Sequence, residues 1–101
     1  MLIPKSKKAI KDRKHLAFVA SLPCVICGQL GVQIHHLIGN YGPDGPVRGW
    51  GMRAGDDFTI AMCERHHRLL HADGNEKRYL EAHGIDGLKA ARKTWKFSHG
   101  G

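Results

Sequence analysis

Apolar and polar positions are spaced in more than one rhythm along this chain. Between residues 6 and 21, Ile10, Leu16, Phe18 and Val19 interleave with basic side chains. That spacing predicts a helix, which must stop before Pro23 because the residue preceding a proline avoids helical geometry. Val32, Gln33, Ile34 and His35 alternate as a short strand does, with His36 closing it, and Phe58-Thr-Ile-Ala-Met-Cys63 is apolar and β-branched enough for a second strand. Glu64 begins a helix through Leu69, Leu70 and His71. Asn75 and Glu76 restart a helix that Gly84 ends, and Asp86 is placed to cap a last basic helix carrying Leu88, Ala91 and Trp95. Eight of the thirteen glycines fall between positions 28 and 55, so residues 37 to 56 are expected to form a long loop, and loops of that length inside small domains usually serve function. The elements add up to an α+β domain: two strands and a helix, with further helices on either side.

Composition narrows what such a domain can be. A chain of 101 residues fits one domain and buries too little apolar surface to be comfortable without a staple. Three cysteines are too few and too odd for a disulfide framework, whereas Cys24 and Cys27 in a C-x-x-C spacing among eight histidines point to thiolate metal ligation in a reducing compartment, with zinc as the leading ion. No charged leader followed by an apolar run opens the sequence, and nothing approaches the ~18 apolar residues that span a bilayer. A cytoplasmic protein without membrane contact is therefore expected. The net charge of +7 calls for a polyanionic partner, with DNA the natural one. Residues 1 to 21 then form a basic arm and helix, carrying Lys5, Lys7, Lys8 and Lys11. Residues 22 to 84 form the core and residues 85 to 101 a basic helix and tail. Arg48, Arg53, Arg65 and Arg68 from the core, with Lys89, Arg92, Lys93 and Lys96 from the last helix, complete the expected contacts to phosphates.

Five of the histidines sit as His35-His36 and His66-His67-x-x-x-His71. Residues four apart share one face of a helix, so His67 and His71 can bind one ion together. His66 is turned about 100° away, toward the side of Cys63 three residues earlier. Cys63 and His66 thus make a knuckle which, with Cys24 and Cys27, supplies four zinc-type ligands and uses every cysteine; a closed shell of that kind is structural. The second site keeps an open position. Adjacent strand residues face opposite ways, so only one of His35 and His36 joins His67 and His71, and the other is free to act as a general base toward water. His15, His83 and His99 are expected on the solvated surface.

The order of strand with His-His, glycine-rich loop, strand, and helix with His-x-x-x-His resembles the HNH (ββα-metal, His-Me finger) endonucleases. Pro23-Cys-Val-Ile-Cys-Gly, Ile34-His-His-Leu and Asp57-Phe-Thr-Ile-Ala-Met-Cys-Glu-Arg-His-His-Arg-Leu-Leu-His look like the phage recombination-enhancement (Ref-type) nucleases over residues 22 to 83. The resemblance implies that His35 binds the catalytic ion with His67 and His71, that His36 is the general base, and that Mg2+ or another divalent ion such as Mn2+ serves phosphodiester hydrolysis in phage or prophage DNA processing, within the bacterial host cytosol. It further implies a RecA-type recombinase as partner and a monomer that nicks one strand, a dimer being needed for a concerted double-strand cut. One departure stands out: the family's middle asparagine would fall on Phe58. Asp57 is expected to hold the loop instead, with Asn40 a second choice. The rival expectation is a zinc-stapled DNA-binding or recombinase-interacting module whose nuclease site has decayed.

Overall fold

The computed structural model describes residues 9–46 and 53–100, so Lys5, Lys7, Lys8 and Arg48 lie outside the described residues. Within them the chain is an α+β fold whose elements run α1 (Arg13–Ala20), β1 (Gln33–His36), β2 (Thr59–Met62), α2 (Glu64–Asp73), α3 (Glu76–Ala82) and α4 (Gly87–Ser98). The described parts of the loop after β1 contain only a short 3-10 turn, Gly42–Asp44. No helix among the described residues is long and apolar enough to cross a membrane.

The first helix starts later than its hydrophobic pattern suggests, for a local reason. The Asp12 carboxylate accepts the His15 amide at 3.0 Å and caps α1 there. The residues before it are held against the loop instead: the Asp56 amide donates to the Ile10 carbonyl at 2.8 Å, and the Asp12 amide donates to Asp56 Oδ2 at 2.8 Å.

The strands pair antiparallel, His35 opposite Ile60 and His36 opposite Thr59. All four residues of β2 are buried, because α1 and α4 pack on the strand along with α2. One face of the sheet carries Gln33, His35, Ile60 and Met62, and the other Ile34, His36, Ala61 and Thr59. The core gathers Leu37, Ile60, Met62, Leu70, Leu80 and Ala91. Gly74, with φ of 81°, ends α2 in the left-handed conformation that a side chain would resist, and the reversal brings the start of α3 back toward β1.

His15 departs from expectation. It is 1 % exposed, its Nδ1 lies 2.6 Å from Ser98 Oγ, and its ring meets Trp95 edge-on at 4.7 Å, so it joins α1 to α4 in the interior. It is expected at the solvated surface, but two hydroxyls, those of Ser98 and Thr59, satisfy its ring and let it be buried. His83 and His99 are exposed as expected.

Candidate metal centres

Two clusters of ligand atoms are built on consecutive residues of α2. In the first, Cys24, Cys27, Cys63 and His66 bring one donor atom each to within 4.8 Å of one another. The C-x-x-C turn closes through the Gly28 amide on the Cys24 carbonyl at 2.9 Å, and Val25 ties it to β2 by donating to the Ala61 carbonyl at 2.9 Å. Cys63, the last residue before α2, then puts His66 one turn up the helix. Cys27 and Cys63 sulfurs are 3.8 Å apart, and His66 Nδ1 is 3.3 Å from Cys63 and 3.9 Å from Cys24. A zinc ion with ~2.3 Å bonds to sulfur and ~2.0 Å to nitrogen has tetrahedral edges of about 3.5–3.8 Å, so the donors fit such an ion. The same spacing is far beyond a disulfide, and all three cysteines are free. Burial pushes the Cys24 thiol up, but amides of Cys63, Cys27 and Ile26 outweigh it and bring the group to about 6, where a thiolate is ready to ligate.

The second cluster is His35, His67 and His71. His67 Nε2 stands 3.1 Å from His35 Nδ1 and 3.1 Å from His71 Nε2. Two of the rings are held by their far nitrogens. His35 Nε2 donates to the Glu76 carboxylate, and His67 Nδ1 donates to Gln33 Oε1 at 2.7 Å. Both tautomers are thereby set, leaving lone pairs on the nitrogens that face each other. Lone pairs that close repel unless a cation lies between them, and an ion with ~2.0–2.1 Å bonds to nitrogen spaces its ligands about 3.0–3.4 Å apart. Burial and the neighbouring His35 and His71 hold the His67 imidazole below its ordinary value, which keeps it neutral and able to ligate.

Glu76 is the residue that spacing did not single out. It is 4 % exposed, and besides His35 it accepts the Ile38 amide at 3.1 Å, the Gly39 amide at 2.7 Å and the Tyr41 hydroxyl at 2.7 Å. Burial pushes its carboxyl up, but the bonds from His35, Tyr41, Ile38 and Gly39 outweigh that and hold it below the usual range. Glu76 thus stands behind His35 as a fixed anion. In sequence it reads only as an acidic residue in the first turn after the Asn75 cap; its position depends on the reversal at Gly74.

His36 faces the other side of the sheet, where its Nε2 lies 2.8 Å from Asp56 Oδ1. The carboxylate that meets His36 is Asp56, the neighbour of the Asp57 expected to hold the loop. Burial raises the Asp56 carboxyl, yet the bonds from His36 and the Asp12 amide, with the charges of His36 and Arg53, bring it below the ordinary range. Asp57 is half-buried and its carboxyl is pushed up, by burial and by Asp56, against the pull of its own amide. Asn40 closes a local turn by accepting the Gly42 amide at 3.1 Å and is exposed. The remaining expected DNA contacts are exposed side chains: Lys11, Arg53, Arg65, Arg68, Lys89, Arg92, Lys93 and Lys96.

The model of a family described as "Protein of unknown function (DUF968)" matches residues 1–99. The chain belongs to the DUF968 family. A curated relative within reach, the "Uncharacterized protein YdfU" of Escherichia coli (strain K12), is 37 % identical over 73 residues, covering 72 % of this chain. The chain spans 19 % of that relative's length, so this DUF968 sequence corresponds to a fraction of the longer protein. No solved structure matches the DUF968 chain.

Proposed function

We propose that this chain is a metal-dependent DNA endonuclease of the HNH, ββα-metal kind, stapled by a zinc ion at Cys24, Cys27, Cys63 and His66. The observation that carries the reading is the convergence of three imidazole nitrogens at His35, His67 and His71, two of the rings fixed from behind by Glu76 and Gln33. A histidine with a carboxylate partner, His36, occupies the next strand position.

His35, His67 and His71 would hold a divalent ion such as Mg2+ or Mn2+, whose chemistry is polarisation of a phosphodiester and stabilisation of a departing 3′ oxygen. With its Nε2 proton donated to Asp56, His36 keeps a lone pair on Nδ1 that can take a proton from an in-line water. The Asp56 carboxylate then stabilises the imidazolium, and the Asp12 amide on its other oxygen keeps it from turning away. Exposed arginines on α2, Arg65 and Arg68, flank the histidines and suit phosphate contacts that carry little base reading. A RecA-type partner and a phage setting rest on the resemblance alone.

Phe58, at the position of the family's asparagine, favours a second reading: a zinc-stapled DNA-binding module without cleavage. Supercoiled plasmid separates the two. Incubated with the zinc-loaded protein and Mg2+ or Mn2+, it is expected to become nicked circles, and His36→Ala to bind the plasmid equally while leaving it intact. Plasmid left intact by the wild type with either ion rejects the nuclease reading in favour of the binding module.

A further inference from the structure

On α4, Lys89, Arg92, Lys93 and Lys96 follow at three- and four-residue spacings and so share one face of the helix. All four are exposed, and all four line a cavity of 630 Å3. Two carboxylates, Asp44 and Asp57, line it too, yet among the described residues neither forms an ion pair with any of these cations. Four cations against two carboxylates leave the hollow positive on balance, and the cations repel one another, a cost that an anion removes.

The rest of the wall is aromatic. Phe58 and Trp95, both half-buried, line the same cavity, and His99 stacked on the indole at 3.7 Å fixes its position. Phe58 packs on its inner side against the core and Trp95 meets buried His15, and rings set beside a cationic stripe match a ligand with both phosphates and flat bases. The carboxylates fit the same ligand. On a surface for phosphate alone they would only repel, but they can accept hydrogen bonds from the amino edges of bases. In a duplex every base is stacked on both sides and paired, so only an unpaired nucleotide can offer a ring face to Trp95.

We infer that this cavity holds an unpaired nucleotide of a DNA strand, phosphates on the α4 cations and base against Trp95 and Phe58, which makes single-stranded or flapped DNA the preferred ligand. The consequence for cleavage rests on the nuclease reading above. Asp56 holds His36, and the next two residues, Asp57 and Phe58, line the cavity, so a strand seated there lies on the same loop segment that positions His36.

The test uses the zinc-loaded full chain with Ca2+ in place of Mg2+, titrated with a short mixed-sequence single strand, a blunt duplex of equal phosphate number, and inorganic polyphosphate. Binding is followed by anisotropy of labelled DNA for the native chain, and by Trp95 emission in a Trp50→Phe variant, in which Trp95 is the sole indole. The single strand is expected to bind about tenfold tighter than the duplex and to quench Trp95, since stacking one base on an aromatic ring is worth about 1–3 kcal/mol. Arg92→Ala with Lys93→Ala, both at exposed positions, should weaken single-strand binding about tenfold or more. Equal binding of duplex and single strand, an unmoved Trp95 signal, or polyphosphate binding as tightly as DNA would each overturn the inference. Plasmid nicking measured alongside keeps the two ideas apart. Nicking without a Trp95 response removes the base-binding cavity and leaves the nuclease; a Trp95 response without nicking does the reverse.

Discussion

Glu76→Gln tests the architecture of the histidine centre with almost no change of shape. The carboxylate oxygens face donors on both sides, His35 on one and the Gly39 amide with the Tyr41 hydroxyl on the other. A glutamine must turn its NH2 toward one of them. Turned toward Gly39, it sets N–H against N–H in a site only 4 % exposed. Turned toward His35, it forces the imidazole proton onto Nδ1, the nitrogen that faces His67 at 3.1 Å, and a ligand is lost. Losing one charge-assisted hydrogen bond costs about 2 kcal/mol, which for a domain of this size lowers Tm by about 8–16 °C. Divalent-ion affinity should fall about 10- to 100-fold, the usual effect of removing a carboxylate behind a ligating histidine. Mn2+ titration of the zinc-loaded protein, followed by the electron-paramagnetic signal of the free ion, reads the affinity, and a melt without Mn2+ reads the stability. Tyr41→Phe is the companion: it removes one donor to the same carboxylate and should also cost about 2 kcal/mol, but with affinity largely kept because the His35 bond remains. A folded Glu76→Gln protein that takes up Mn2+ like the wild type would refute the reasoning.

Cys63→Ala should lose its zinc and its cooperative melt, because metal binding and folding are one process in a domain this small, whereas His71→Ala should keep both; elemental analysis and circular dichroism decide, and an unchanged Tm for Cys63→Ala counts against the proposed staple. His36→Ala should slow plasmid nicking about 100-fold or more, and Asp56→Asn should slow it less while leaving DNA affinity in place; wild-type nicking by Asp56→Asn would mean that its bond to His36 does not matter. Burial, with the charge of His99, depresses the His15 imidazole below 6.5, so the unfolded chain takes up its proton first as pH falls. Stability is then lost from 6.5 down to the lowered native value, at up to about 1.4 kcal/mol per pH unit, and His15→Gln should flatten that slope in urea melts at a series of pH values. Glu76 and Asp56 act lower on the scale. Their depressed carboxyls contribute fully above their ordinary values of 4.5 and 3.8, and the contribution is lost as pH falls through the native ones, so Glu76→Gln should blunt acid unfolding.

How far the sequence could be read depended on whether partners were local. The division of labour on α2 follows from helical rotation: His66 meets Cys63 and Cys24, while His67 meets His71 and His35, and neighbours on one helix can be phased without coordinates. Strand alternation likewise separates His35 from His36. What could not be read were contacts made across the fold. Glu76 reaches His35 from 41 positions away and Asp56 reaches His36 from 20, and neither distance leaves a periodic trace. Asp56 and Asp57 are adjacent and chemically identical, so only the backbone path of the loop could choose between them. The buried His15 escaped for the same reason, since one of its hydroxyl partners is Ser98, 83 positions on.

The placement of His66 and His67 side by side has a mechanical corollary. Each is committed to a different cluster, so α2 can neither roll nor slip by one residue without emptying both at once. One inserted or deleted residue between Cys63 and His71 would rotate part of the helix by about 100° and break at least one of the clusters. Length changes in this family should therefore collect in the segment from 37 to 56 and spare the nine positions from Cys63 to His71, a pattern that engineered single-residue insertions at successive positions would map directly.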